Sequence, residues 1–249
     1  MMDKTIYALE WPTNGTDTYG YGAVIDYLPN GEVHFKNERV SPGLAVHRWR
    51  QTNESIHFLQ SFFLPLLVPG QEYQLRADIE VTPSDSLGLQ IQFFDEAGLV
   101  IDECLVRTSQ VDFVVPAGMV SYEIDLINLN TVEFNFHNLI LGKKELMAAT
   151  QIQRSSQADV QFVLQHGDSN QADVALINRG TTLIPLIYRP NRQTVMVRVK
   201  RNQLTDVSKI KLFKKQVTTI LTENNLKLGN VSAQGESLSK IRKILETSK

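Results

Sequence analysis

The sequence predicts a mainly β protein, an antiparallel β-sandwich of the jelly-roll kind followed by a small basic α+β appendage. Two observations carry this. Between Thr5 and Leu141, short runs rich in β-branched and aromatic residues alternate with turn residues, and no helical period lasts beyond two turns. The formal charge also divides unevenly: residues 1–142 hold 7 Lys+Arg against 19 Asp+Glu, a net −12, while residues 143–249 hold 18 against 8, a net +10. Such asymmetry predicts two units in different electrostatic surroundings, here 1–142 and 158–249 joined by a linker over 143–157.

The predicted strands, in order, are Thr5–Leu9, Ala23–Leu28, Glu32–Asn37, Ala45–Thr52, Glu72–Val81, Gly88–Phe94, Leu99–Thr108, Val111–Val115, Ser121–Asn128 and Thr131–Leu141. Pro29-Asn30-Gly31 supplies the positive φ angles of one hairpin, and Asp95 to Gly98 marks another. Period-two alternation turns Ala45, His47 and Trp49 to one face and Arg48 and Arg50 to the other. It likewise turns Leu89, Ile91 and Phe93 inward and leaves Gln90 and Gln92 on a solvated or ligand-facing surface.

At 249 residues, 42% hydrophobic and 21% charged, the chain has the composition of a folded globular protein. Its single cysteine, Cys104, precedes the apolar Leu105 and Val106 and reads as a small core residue. Met1 to Lys4 lead into an apolar stretch that Glu10 ends, with no signal-peptide core, and Phe62–Val68 is too short to span a bilayer. The expectation is a cytoplasmic protein, at most peripheral at the inner face of the membrane.

Several short motifs converge: Trp11, Thr18-Tyr19-Gly20-Tyr21-Gly22, Phe35-Lys36-Asn37-Glu38, Ser41-Pro42-Gly43, Trp49, Leu64-Pro65-Leu66-Leu67, Pro69-Gly70 and Ile127-Asn128. Over roughly residues 1–142 this combination resembles the third accessory secretory protein family of the accessory Sec system, which exports serine-rich repeat glycoprotein adhesins in Gram-positive bacteria. The resemblance implies a β-sandwich like a carbohydrate-binding module, and a non-catalytic subunit without a cofactor. It implies two partner accessory proteins, one glycosyltransferase-like and one with a hydrolase fold that acetylates adhesin sugars. Together they deliver the adhesin to the accessory SecA motor.

The second half lies outside that resemblance. Gln151 to Gln157 reads as linker, and Val160–Leu164, Val174–Ile177, Thr182–Tyr188 and Thr194–Val199 read as strands. In Asp206–Glu223 the residues Val207, Ile210, Phe213, Val217, Ile220 and Leu221 form one apolar stripe, with Thr205 or Asp206 as cap. Ser237–Glu246 places Leu238, Ile241, Ile244 and Leu245 on one side of a second helix. Nine cations, Arg189, Arg192, Arg198, Lys200, Arg201, Lys209, Lys211, Lys214 and Lys215, face only Asp206 in the same stretch. They read either as a contact for an anionic partner, lipid headgroups or the acidic half included, or as a solvated face. Nucleic acid is the least favoured anion, because no RNA-binding aromatic motif accompanies them and the whole-chain pI is 6.2.

Trp11, Tyr19 and Tyr21 could stack on a sugar ring or touch a partner, with packing at the sandwich edge as the alternative. His166-Gly167-Asp168-Ser169 has hydrolase residue types, but a triad must converge from separate elements, so a polar turn is the reading. Asp95-Glu96 and Asp102-Glu103 read as surface charge on a hairpin. Histidines 34, 47, 57, 137 and 166 lack metal-ligand spacing, and no phosphate-binding glycine loop or nucleophile elbow occurs. Two further classes stay open: a small carbohydrate-active or acyl-transfer enzyme, which would bring His, carboxylate and nucleophile together in a cleft, and a stand-alone glycan-binding module, which would expose an aromatic platform.

Overall fold

The computed structural model describes residues 5–12, 17–28, 31–50, 64–153, 160–165, 169–178, 183–187, 192–199, 207–233 and 242–243. They divide into two compact units, one built from residues 5–144 with 182–186 and the other from 145–181 with 187–249. The first unit holds β1 (Thr5–Leu9), β2 (Val24–Tyr27), β3 (Val33–Lys36), β4 (Ala45–Arg50), β5 (Glu72–Val81), β6 (Leu87–Phe94), β7 (Val100–Val106), β8 (Gln110–Val114), β9 (Ser121–Asn128) and β10 (Glu133–Lys143). Next come α1 (Lys144–Ala148), β11 (Gln151–Gln153), β12 (Val160–Gln165), β13 (Gln171–Asn178), β14 (Leu183–Ile187), β15 (Gln193–Val199), α2 (Val207–Glu223) and β16 (Lys227–Ala233).

Two antiparallel sheets face each other in the first unit, so the fold is the predicted sandwich. One sheet is ordered β4-β9-β6-β7. The other centres on β10, which pairs with β5 along one edge and with both β1 and β3 along the other. Beyond these lie β8 on β5, β2 on β3 and β14 on β1. A bulge at His137, where Phe136 pairs with Ile79 and Asn138 with Asp78, shifts the side-chain parity of β10 by one. Phe134 and Phe136 before it, and Leu139 and Leu141 after it, therefore all reach the same core. His137 itself lies between Glu32 and Glu80, each 3.1 Å from a ring nitrogen.

A second bulge explains β4. Ala45 pairs with Ile127 and His47 with Leu126, so the extra residue Val46 is buried together with His47 and Trp49. From β6, Leu89, Ile91 and Phe93 enter the core, with Gln90 and Gln92 on the opposite face, as alternation requires. Cys104 is half-buried against this core, and burial, aided by nearby Asp102, pushes its thiol pKa up. Gly98 closes the β6–β7 hairpin at φ 76°, and Asp95 Oδ1 accepts from the N–H groups of Ala97 and Leu99.

Two differences from the sequence reading concern the chain's second half. Residues 143–157 contain α1 and β11 where a linker is expected, since β11 finds β12 as an antiparallel partner. The run Thr182–Tyr188, assigned by sequence to the appendage, instead yields β14 at the edge of the first unit's sheet. Ile184 and Leu186 are buried there, and Leu183 packs on the sandwich core. Edge placement suits a strand containing Pro185, which has no N–H to donate, and it satisfies β1 on its open side.

In the second unit the sheet order is β11-β12-β15-β13-β16, with β13 parallel to both β15 and β16. Phe213, Val217, Ile220 and Leu221 of α2, four of the six stripe residues read from sequence, pack on Ala172, Val174 and Leu176 of β13 and Val195 and Val197 of β15, while the side chains of Val207 and Ile210 lie outside the described residues. The helix stops at Asn225, φ 53°, where Leu226 N–H donates to Leu221 O and Asn225 N–H to Thr222 O. This left-handed cap brings Leu226 into the same core. Of the predicted helix Ser237–Glu246, only Arg242 and Lys243 are described, and both are helical.

The polar centre of the sandwich core is a relay. Trp11 Nε1–H donates to Thr18 Oγ1 at 3.1 Å, and the same hydroxyl oxygen lies 2.8 Å from His47 Nδ1. Trp11 stacks on this ring at 4.4 Å. Burial lowers the His47 pKa to about 3, opposed in part by a hydrogen bond to the backbone of Asp17.

Because the folded state holds His47 neutral, protons bind only the unfolded chain between about pH 6.5 and 3. Stability from this group is present above pH 6.5 and falls by about 1.4 kcal/mol per unit as pH drops through that window. Urea unfolding of the wild type should therefore lose stability faster between pH 6 and 4 than His47→Gln does. Parallel pH slopes would contradict the assignment. Truncation after Lys144 removes β14 and bares β1, and should lower the melting midpoint and increase light scattering relative to the whole chain. A truncated protein that is monomeric and equally stable would show that β14 contributes nothing.

Candidate functional site on the four-stranded sheet

The outer face of β4-β9-β6-β7 collects the polar side chains that alternation turns away from the core. Arg48 on β4 lies directly across from Asp125 on β9, and Arg50 across from Glu123. The Arg48 guanidinium donates through Nε and Nη2 to both Asp125 oxygens at 2.7–2.9 Å. This pairing, its largest influence, raises the Arg48 pKa despite partial burial. Arg48 also stands 3.4 Å from Glu123, and Arg50 bridges Glu123 at 3.6 Å and Asp17 at 3.4 Å. Glu123 is pushed above the usual carboxylate range by burial, with Arg50 and Arg48 acting against that shift.

The row continues across the sheet. Gln90 is the β6 neighbour of Asp125, and Gln92 of Glu123. Both amides donate from Nε2 to Glu103 Oε2 on β7, at 3.3 and 3.2 Å. Two arginines, four carboxylates including Asp17, and two amides thus form a connected surface spanning all four strands. Fixed forks and amides of this kind recognise polar groups on another surface, with geometry set by rigid strands. Sequence alternation exposes Arg48, Arg50, Gln90 and Gln92, but the β4–β9 pairing that completes the row joins segments more than 70 residues apart.

The residues singled out from sequence are dispersed. Trp11 is only 4% exposed and belongs to the core, Tyr19 packs partly against it, and Tyr21 is 69% exposed. The three do not share a flat exposed face. Asn37 Nδ2 donates to the Tyr21 carbonyl and ties its loop to the sandwich.

In the basic cluster, Arg192 Nη1 is 2.7 Å from Asp173 Oδ1. That oxygen also accepts from Asn230 N–H at 2.8 Å, an approach that needs Gly229, since a Cβ there would lie 2.5 Å from it. Lys211 and Lys215 are exposed on α2 and Lys214 half-buried; with Thr218, Thr219, Thr222 and Glu223 they line a shallow groove of about 460 Å³. Arg189, Lys200 and Arg201, and the side chains of Arg198 and Lys209, lie outside the described residues, as do His166, Gly167 and Asp168.

His47 faces the Thr18 hydroxyl, but with a pKa near 3 it is no base at neutral pH. Among the described residues, no group of three or more His, Cys, Asp or Glu side chains is arranged to hold a metal ion, and no helix is long and apolar enough to cross a membrane.

Comparison with known proteins gives consistent relatives. The family model described as accessory Sec secretory system ASP3 matches residues 18–143. The accessory Sec system protein Asp3 of Streptococcus gordonii is 30% identical over 122 residues, covering 49% of this chain and 77% of that relative. Asp3 of Staphylococcus aureus is 26% identical over 141 residues, 57% of this chain, which spans 44% of that longer relative. Among solved structures, a chain from the crystal structure of accessory secretory proteins 1, 2 and 3 of Streptococcus pneumoniae superposes with TM-score 0.52 at 24% identity, covering 55% of this chain and 94% of its own. A chain of the glycosylation associate protein complex from Streptococcus agalactiae gives 0.54 at 19% identity, covering 94% of this chain and 75% of its own. At these identities both comparisons speak to fold, and the second covers nearly the whole chain.

Arg48→Ala leaves the Asp125 carboxylate, only 2% exposed, without its fork. The expected cost is about 2–3 kcal/mol, below that of a fully buried pair because Arg48 is itself 31% exposed. Arg48→Met with Asp125→Leu should recover much of it in urea unfolding. An additive double variant would show that the two side chains do not couple.

Proposed function

Because the chain belongs to the accessory Sec secretory system ASP3 family, we propose that it acts as a non-catalytic subunit in a complex with other accessory secretory proteins. The observation that carries this is the family match over residues 18–143, together with solved structures in which similarly folded chains occur in such complexes. The complex would help modify a serine-rich repeat glycoprotein adhesin and deliver it to the accessory SecA motor, on the cytoplasmic side of the membrane. The rigid polar face of β4-β9-β6-β7 supports a role in recognition. Tyr21 is the member of the aromatic set exposed enough to touch a partner or a sugar.

The basic cluster is the proposed contact for an anionic partner. Lys211 and Lys215 are exposed, away from the buried stripe of α2, whereas Arg192 is engaged with Asp173.

Co-expression with the two other accessory secretory proteins should raise solubility and melting temperature, since a ligand of the native state stabilises it by mass action. An unchanged melting temperature and a monomeric elution peak in their presence would sink the subunit reading. If the cations bind an anionic partner, association should weaken between 0.1 and 1 M salt, as the screening length falls from about 10 to about 3 Å. Replacing Lys209, Lys211, Lys214 and Lys215 with Gln should reproduce the high-salt result; equal binding by the variant returns the cluster to a solvated face.

A further inference from the structure

Among the described residues, β7 is the last strand of its sheet and is hydrogen-bonded to β6 alone. The Glu103 N–H donates to the side chain of its own neighbour, Asp102 Oδ1, at 2.9 Å, so this N–H points away from β6. Strand alternation makes the Leu105 N–H the next outward donor. Natural edges are usually guarded by lysine, proline or bulges. Here a bulge at Ile101, between the Phe93–Asp102 and Phe94–Val100 pairs, and the Asp102 cap both lie near the start of the strand. The stretch Glu103 to Val106 has neither lysine nor proline.

The side chains along this edge are unusually apolar for a surface. Leu99, Val100, Ile101 and Leu105 are 65%, 49%, 40% and 53% exposed. The charges among them have one sign: Asp95, Glu96, Asp102 and Glu103, with no cation between Leu87 and Val106. Immediately after β7, Arg107, Thr108 and Ser109 rim a slot of about 320 Å³ whose walls include Ile79 and Val81 of β5 and Leu87 and Leu89 of β6. That volume accepts a large apolar side chain.

We propose that β7 is a docking edge that takes an extended segment of a partner protein as a fifth strand, the segment alternating basic and apolar residues. Main-chain bonds to the Leu105 N–H and to the outward carbonyls of Glu103 and Leu105 would hold it. Its basic residues would lie on the face of Glu103, and an apolar residue on the opposite face would enter the slot. A second copy of this chain fits poorly, because two β7 edges would oppose carboxylate to carboxylate. The proposal rests on the reading of the chain as a complex subunit.

The test compares hydrogen exchange in the free chain and in its complex with the other two accessory secretory proteins. Exchange at the Leu105 amide should slow by about tenfold or more on assembly. Leu105→Pro, which removes one outward donor, should weaken assembly by about tenfold; if it lowers the melting midpoint, Leu105→Lys tests the same edge with its backbone intact. Unchanged exchange, or assembly by the folded variant at wild-type affinity, overturns the proposal and leaves the subunit reading standing. If the wild type forms no complex, the subunit reading falls, and a blocked Val-Lys alternating peptide of about eight residues decides the edge alone. Protection of the Leu105 amide by this peptide, but not by its Val-Glu counterpart, upholds the edge, and no protection removes it. A dimer that Leu105→Pro abolishes would assign the edge to a second copy and also overturn the proposal.

Discussion

β10 must bury side chains along both of its halves while serving three neighbours, and the first unit is arranged around that requirement. An uninterrupted strand would keep one parity throughout. The bulge at His137 changes parity midway, so Phe134 and Phe136 face the core on the half beside β3, and Leu139 and Leu141 face it on the half beside β1. β5 runs along the other edge of the same strand and carries Tyr73, Leu75 and Ala77 into the same interior. The facing sheet then has a continuous apolar surface to cover, and β6 and β9 cover it with Leu87 to Phe93 and Tyr122 to Leu126.

Several polar groups inside this core are paired. Thr18 Oγ1 links Trp11 Nε1 to His47 Nδ1, and the Trp49 indole donates to the Glu10 carbonyl at 3.1 Å. Outside the core the same economy holds for Asp125, whose burial is offset by two-pronged bonding from Arg48. The outer face is therefore stiff as well as polar, and a stiff face loses little conformational entropy when a partner settles on it.

The second unit follows different rules. Its strands β13, β15 and β16 are parallel, so α2 is needed to carry the chain from β15 back to β16 and to cover one face of the sheet. The stripe of α2 meets that sheet, leaving Lys211 and Lys215 on the opposite side. Between β13 and β15 the chain lays β14 on the first unit's sheet, so the region of family resemblance is completed by a strand from outside it.

Local signals determined much by themselves. Alternation placed Leu89, Ile91, Phe93 and Trp49 in the core and Gln90 and Gln92 outside, and helical spacing picked the buried stripe of α2. These depend only on periods of 2 and 3.6 residues and on turn chemistry. Tertiary structure decided what depends on distant partners. The bulges at Val46 and His137 exist because particular strands pair in particular registers. Trp11 went to the core and Tyr21 to the surface although they lie ten residues apart, because His47, from a separate strand, supplies the stacking face for Trp11. The row from Arg48 to Glu103 and the position of β14 likewise join segments remote in sequence. Pairing between remote segments is set by competition for the same sheet edges and the same core volume, which no local pattern of residues records.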